Sequence, residues 1–312
     1  MLSRTADSLF WTARYLERAD FLARILDSAL RLTSMPAAKV GPNTWESVIA
    51  SAGVAEAFYA HRQTATERTV RDFLAFDPEN PSSIYSCLAT ARANGRAVRT
   101  ALTTEMWECL NGAWNELQAM DTARMGREAF TRFLEWVEQL TLVFDGSARR
   151  TMLRNDGYWF LRLGGAMERA DNTARILDVK YHLLLPEREP VGGGLDHFQW
   201  STILREVSAL TAYHWVYRDR VKPWLVADLL ILNSQMPRSL ASCYEVTGRC
   251  LDLLAETYGT AGPSQRLAHR IRSQLASARI EDIFQSGLHE FITGFLTDNA
   301  KVAAAIAEQY LV

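Results

Sequence analysis

The sequence predicts an all-α chain assembled from two divergent copies of one helical unit, packed as pseudo-symmetric bundles into one domain. Three observations predict it. Apolar residues recur every three or four positions, strand-like alternation is absent, and one eleven-residue segment occurs twice.

The helical period is plain near the start, where Leu9, Ala13, Leu16, Ala19, Ala23, Leu26 and Leu30 follow one another at helical spacing. Pro and Gly fall mainly between such periodic segments. Asn80-Pro81 reads as a helix start, with Asn as the cap and Pro at the first helical position, where its missing N–H is harmless. Asp156 reads as the cap of the helix that opens the second half.

The duplication rests on residues 17–27, ERADFLARILD, and residues 168–178, ERADNTARILD. Nine of these eleven positions are identical at an offset of 151. The correspondence continues in order. A Pro/Gly loop follows each copy, at Pro36–Pro42 and at Pro186–Gly194. Trp45-Glu46-Ser47-Val48-Ile49 then matches Trp200-Ser201-Thr202-Ile203-Leu204, and Asp72-Phe73-Leu74 matches Asp228-Leu229-Leu230. Pro81-Ser82-Ser83-Ile84 matches Pro237-Arg238-Ser239-Leu240, and Ser86-Cys87 matches Ser242-Cys243. These matches divide the chain into 1–150 and 151–312. Each repeat offers about five or six helices, the first of them long. The first helices, 7–33 and 157–185, are apolar on more than one face and so belong at the centre, side by side.

Composition narrows the function classes. The chain has 312 residues, 48% of them hydrophobic, and a net charge of -2. That balance gives no global pull toward nucleic acid or anionic membrane. No stretch approaches the ~20 apolar residues of a membrane span. The opening Met1-Leu2-Ser3-Arg4-Thr5 lacks the apolar run of a signal peptide, so a soluble cytoplasmic protein is expected. Cys87, Cys109, Cys243 and Cys250 form no CxxC pair and read as reduced, buried thiols.

The first helix of each repeat carries unusual charge. On a helical wheel, Trp11, Leu22, Ile25 and Ala29 form the middle of a broad apolar arc. Arg18 falls inside that arc and Arg14 at its edge. Glu17, Asp20, Arg24 and Asp27 form a separate stripe. The second copy places Arg169 in the arc and Glu168, Asp171, Arg175 and Asp178 in the stripe. Gly165 stands at the position of Arg14, and Arg162 at that of Trp11. A guanidinium in an apolar arc needs a counter-charge. Two outcomes satisfy it: a salt bridge to a carboxylate of a neighbouring helix, or a site where the planar guanidinium holds a phosphate or carboxylate ligand. In the stripe, Asp20/Arg24 and Arg24/Asp27 read as ordinary helix-surface pairs. The alternative is Mg²⁺ held by carboxylates of two facing helices, with Asp20 and Asp171 as weak candidates. No metal or other cofactor is otherwise expected. The histidines lack zinc spacing, and no His follows either Glu at the interval a di-iron bundle needs.

Other positions carry less. Trp11, Tyr15, Tyr158, Trp159 and Phe160 read as core aromatics. Trp107 and Asn111 share a helix face near Glu105, where caps and core account for them. His182, His197, His214 and His269 have no partner at catalytic spacing. Gly192-Gly193-Gly194 reads as a flexible link. No nucleophile elbow, phosphate loop or dinucleotide fingerprint is present.

The whole chain resembles the bacterial Alpha-E family. The resemblance lies in Met1-Leu2-Ser3-Arg4, Trp11, Arg14-Tyr15, Glu17-Arg18-Ala19, Ala23-Arg24 and Leu26-Asp27. It continues in Asp77-Pro78-Glu79-Asn80-Pro81-Ser82-Ser83-Ile84, and in Ala91-Arg92 with Arg96 and Arg99. Thr104-Glu105-Met106-Trp107, Leu110-Asn111 and the second Glu-Arg pair, Glu168-Arg169, complete it. Gly164-Gly165 stands where Gly-Arg is expected. The resemblance implies an all-helical protein named for its Glu-Arg motif. It also implies a genomic setting beside circularly permuted ATP-grasp proteins and transglutaminase-like or proteasome-like peptidases.

From this follows the leading expectation, an accessory or co-catalytic partner of an ATP-grasp carboxylate–amine ligase in peptide or amide bond formation. A transglutaminase-like protein is a second possible partner. Arg18 and Arg169 would hold an acidic peptide, carboxylate or phosphate, with Glu17 and Glu168 orienting them and Arg14, Arg24 and Arg175 completing the ligand set. Two rivals stand beside it. One is a stand-alone enzyme using Glu17 or Glu168 as general base. The other is a helical scaffold that only docks.

Overall fold

The computed structural model describes residues 1–34, 44–62, 64–183 and 194–311. The described residues form fifteen α-helices with short 3₁₀ and π turns, and no strand occurs among them. The helices before residue 152 are α1 (Ser3–Thr33), α2 (Thr44–Ser51), α3 (Ala55–His61), α4 (Glu67–Arg71), α5 (Ile84–Ala97), α6 (Thr104–Ala119) and α7 (Arg127–Thr151). After it come α8 (Asp156–Leu183), α9 (Gly194–Glu206), α10 (Leu210–Tyr217), α11 (Pro223–Ile231), α12 (Leu240–Tyr258), α13 (Pro263–Ser277), α14 (Ile280–Ser286) and α15 (Leu288–Ile306). Each half holds more helices than periodicity gives. The extra ones are pieces such as α4, with five residues, and α14, with seven. Two turns are too short to display a 3.6-residue period. No helix among the described residues is long and apolar enough to cross a membrane.

The chain is organised around α1 and α8, which form the largest helix–helix contact among the described residues. Both are apolar around most of their circumference. In α1 the buried set includes Leu9, Phe10, Leu16, Ala19, Leu22, Ala23, Leu26 and Leu30. In α8 it includes Phe160, Leu163, Met167, Ala170, Ala174 and Leu177. Such helices are stable only inside a shell of others. α5 and α7 cover α1, with α6 between them. α12 and α15 cover α8, with α13 between them. α2 reaches over to α8, and α9 touches both central helices.

Contact positions advance together along α1 and α8, so the two run parallel. Leu9 lies beside Gly157, Phe10 beside Gly164, Ala13 beside Gly165 and Glu17 beside Arg169. The helices come close at Gly164, where a Cβ would overlap the backbone carbonyl of Phe10. Only glycine permits that approach. Gly165 differs: a Cβ there meets only the Ala13 Cβ, at 3.9 Å.

Two helix starts depart from the sequence reading. α5 begins at Ile84 and is capped by Ser83, whose Oγ accepts the Ser86 N–H at 3.1 Å. Asn80 instead closes the preceding turn. Its Oδ1 accepts the Ser82 N–H at 3.0 Å and its Nδ2 donates to the Phe73 carbonyl at 2.9 Å. At α8, the Asn155 Oδ1 accepts the Tyr158 N–H at 3.3 Å, while Asp156 accepts the Tyr258 hydroxyl at 2.8 Å. α12 repeats the serine cap: the Ser239 Oγ accepts the Ser242 N–H at 3.0 Å. The expected loop at 36–42, residues 186–193 of the second loop, and the side chains of His182 and His197 lie outside the described residues. Gly194 opens α9.

Candidate functional site

The two Glu-Arg pairs meet across the α1–α8 interface, and each Glu is gripped by two guanidinium groups. Glu168 accepts from Arg18 Nε at 2.6 Å on one oxygen and from Arg14 Nε at 2.7 Å on the other. Glu17 accepts from Arg169 at both oxygens, Nε at 2.9 Å and Nη2 at 2.5 Å. Arg238 Nη1 adds a third bond to Glu17 at 2.9 Å. The arginines of the apolar arc are thus paired with carboxylates of the neighbouring helix, the first of the two outcomes read from the wheel.

Position and electrostatics follow from burial. Glu17 is 8% exposed and Glu168 2%. Burial alone would raise the Glu168 pKa, but Arg14 and Arg18 outweigh it and hold the carboxyl below its ordinary range. Burial likewise works against the charge on Arg18 and Arg169. Their glutamate partners outweigh it and raise both pKa values. A carboxylate so stabilised is a poor proton acceptor. Behind each pair sits a buried thiol, Cys87 near Arg18 and Cys243 near Arg169, and burial pushes both up to about 12. All four cysteines are free, and Cys109 is only partly buried.

The stripe continues the network on one side. Arg24 grips Asp20 through Nε at 2.8 Å and Nη2 at 3.0 Å. It also reaches Glu138 at 3.0 Å and the Ser208 hydroxyl at 2.8 Å. Arg238 Nη2 and the Thr141 hydroxyl donate to Asp20 as well, at 2.7 and 3.1 Å. Burial would raise the Asp20 pKa, yet Arg238 and Arg24 lower it overall. Asp27 pairs with Arg31 at 2.6 Å rather than with Arg24, which faces the other way toward α7. On the second helix Arg175 pairs with Asp171 at 2.6 Å and Asp178 with His289 at 2.5 Å. Among the described residues no group of three His, Cys, Asp or Glu side chains is arranged to hold a metal ion.

The two sides also differ in the space next to each ion pair. Beside Glu168, Arg14 fills the space next to the ion pair and its guanidinium lies over Trp11, 4.7 Å from the ring centre. Beside Glu17, Gly165 leaves that space open. A cavity of about 90 Å³ results, lined by Glu17, Arg162, Arg169, Arg238 and Asp145 with apolar neighbours including Leu142. Arg162 donates to Asp145 at 3.1 Å, and Arg149 donates to the same carboxylate at 2.8 Å. Sequence reasoning passed over Arg238, Asp145 and Thr141 as site residues. The signal for Arg238 lay in the repeat itself: it aligns with Ser82, whose hydroxyl lies 3.5 Å from Arg18 Nη1. The Thr173 hydroxyl of α8 donates to the Arg238 carbonyl at 2.8 Å and holds that turn in place.

The remaining candidates sit in ordinary packing. Asn111 accepts from Arg92 at 3.1 Å, Arg99 covers the Trp107 ring at 5.6 Å, and Glu105 is exposed in the first turn of α6. Tyr158 and Phe160 are core residues. Trp11 and Tyr15 are half-buried and pack with each other, their ring centres 5.6 Å apart. His269 pairs with Asp252 at 2.7 Å on the surface.

The family model described as a predicted alpha-helical domain with a conserved ER motif matches residues 1–311. No curated protein and no solved structure matches the chain.

Proposed function

The chain belongs to the Alpha-E family, and from that premise we propose that it is a non-catalytic cytoplasmic partner of a circularly permuted ATP-grasp carboxylate–amine ligase. In this role it holds an acidic or carboxylate ligand during peptide or amide bond formation or peptide modification. The ligase partnership rests on the family resemblance.

One observation carries the non-catalytic part. Both motif glutamates are tied up by two guanidinium groups each, which leaves neither placed as a general base. A purely docking role draws support from Trp215 and Trp224, which are 76% and 48% exposed. The charged cleft beside Glu17 favours a ligand-holding role over docking alone. Recurrence of the same helix neighbours about α1 and about α8 supports reading the chain as two copies of one unit.

Co-purification with the ATP-grasp protein tests the reading, followed by an ATP-consumption assay with and without this chain. The expected result is a complex in which the chain raises ATP turnover while consuming none alone. Turnover by the isolated chain that disappears in Glu17→Gln or Glu168→Gln would make it an enzyme in its own right.

A further inference from the structure

The ion pairs beside Gly165 fall into two linked sets. In one, Arg169, Arg238 and Arg24 alternate with Glu17, Asp20 and Glu138, so charge balances. In the other, Arg149 and Arg162 share the single carboxylate of Asp145. That second set leaves one positive charge unmatched, shared by the exposed Arg149 and by Arg162, and of the two Arg162 lines the cleft. Asp145 is the one hydrogen-bond partner of Arg162 among the described residues, through a single N–H. The Arg162 side chain is 17% exposed, so its remaining donors are partly shielded from water.

Arg169, Arg238, Glu17 and Asp20, all ion-paired, also line the cleft with the Thr141 hydroxyl, and most of the remaining wall is apolar. Leu161 and Ala166 are buried at the cleft, Val246 and Pro237 border it, and Leu142 is 56% exposed at its rim. A water-sized group needs about 10–15 Å³. The cavity of about 90 Å³ therefore admits a head group of a few heavy atoms, with the rest of any ligand lying over the Leu142 rim. Arg169 and Arg238 are matched by Glu17 and Asp20, whereas Arg162 keeps unspent donors, and these with the apolar lip select a single negative charge attached to hydrocarbon. A guanidinium matches a carboxylate through two parallel N–H···O bonds, which a spherical anion cannot use.

We infer that the cleft beside Gly165 is a carboxylate site, held by Arg162, for a monoanionic ligand bearing an aliphatic group, such as a peptide C-terminus ending in an apolar residue. This gives a ligand class to the carboxylate-holding role proposed above and rests on that part of it, not on the ligase. On the opposite side of the interface Arg14 fills the equivalent space against Trp11.

The test uses the full chain alone, with N-acetyl-leucine, N-acetyl-leucinamide and inorganic phosphate titrated and followed by ligand-observed NMR. The carboxylate should bind about tenfold more tightly than the amide, the effect of one lost charge-assisted pair. Arg162→Gln should weaken N-acetyl-leucine by about the same factor. Gly165→Arg should abolish binding by filling the cleft as Arg14 fills its counterpart, and circular dichroism and thermal melts check that each variant is folded. If Gly165→Arg fails to fold, Arg162→Gln decides alone, since it changes one partly exposed side chain. Absent binding, equal binding of acid and amide, or binding that survives Arg162→Gln or Gly165→Arg overturns the inference. Phosphate binding as tightly as N-acetyl-leucine also overturns it, by making the cleft a generic anion site. None of these results bears on the ligase partnership, because no ligase is present.

Discussion

Arg169 clasps Glu17 with two parallel N–H···O bonds, 2.9 and 2.5 Å long, whereas Glu168 receives its two bonds from separate arginines, Arg14 and Arg18. The difference decides what each glutamate can lose. Removing the Glu168 charge strands two half-buried guanidinium groups. Removing the Glu17 charge strands Arg169, while Arg238 keeps Asp20.

Glu168→Gln should therefore cost about 3–5 kcal/mol, the range for breaking a buried pair by removing one partner. Glu17→Gln should cost measurably less. Urea unfolding of both variants checks the order, and equal losses would mean that Arg238 gains nothing from Asp20.

Adjacent glycines should answer differently to alanine. Gly164→Ala forces a methyl into the Phe10 carbonyl and should destabilise by about 1–3 kcal/mol or more. Gly165→Ala meets only a van der Waals contact at 3.9 Å and should stabilise by about 0.5–1 kcal/mol through helix propensity. Thermal melts of the two variants should move in opposite directions. A Gly164→Ala protein as stable as the parent would show that α1 and α8 do not cross where described.

Acid should loosen the central pair. The folded pKa values of Glu168 and Asp20 lie below their ordinary ones, so their stabilisation is complete above the unfolded values, about 4. It declines as pH falls through the folded values. Denaturation midpoints measured from pH 6 to pH 3 should drop below about pH 4, and Glu168→Gln should flatten the drop. An unchanged slope in that variant would assign the acid loss to other carboxylates.

Glu206 should act in the opposite sense. Burial pushes its carboxyl up to about 7, partly opposed by a bond from the Ser28 hydroxyl. The folded chain then holds a proton that the unfolded chain releases near pH 4.3, roughly the free glutamate value. Stability contributed by this group rises as pH falls from about 7 toward that value. Glu206→Gln should raise the melting temperature at pH 8 and remove the dependence between pH 5 and 8. A variant with the parent's slope would exclude Glu206 as its source.

The sequence made some of this legible and concealed the rest for identifiable reasons. Arg18 and Arg169 sit in apolar arcs, and burial physics requires a counter-charge for each. The wheel therefore announced that each needs an anionic partner and left open whether a helix carboxylate or a ligand supplies it. The parallel direction of α1 and α8 was not readable, because periodicity describes a helix face without saying which way its neighbour runs. Arg238 was hidden because turn residues carry no period. It gains its role from the hydrogen bonds that Ser239 and Thr173 make around it. Asn80-Pro81 carried a proper cap signature, but the Asn80 side chain was better used closing the turn, which left capping to Ser83 three residues on. The absence of an arginine at 165 was visible from the outset. Its consequence, an opening next to Glu17, needed the geometry of both helices.

The pairing of α1 with α8 also sets an order of events during synthesis. Glu17 leaves the ribosome 152 residues before Arg169 and 221 before Arg238. At roughly 5–20 residues per second that gap lasts on the order of ten seconds or more. Throughout it, the apolar flanks of α1 have no α8 to rest against, and its arginines have no Glu168. The nascent amino-terminal half is thus left with a sticky, charged helix in search of a mate. A holding chaperone has its clearest opportunity in that interval.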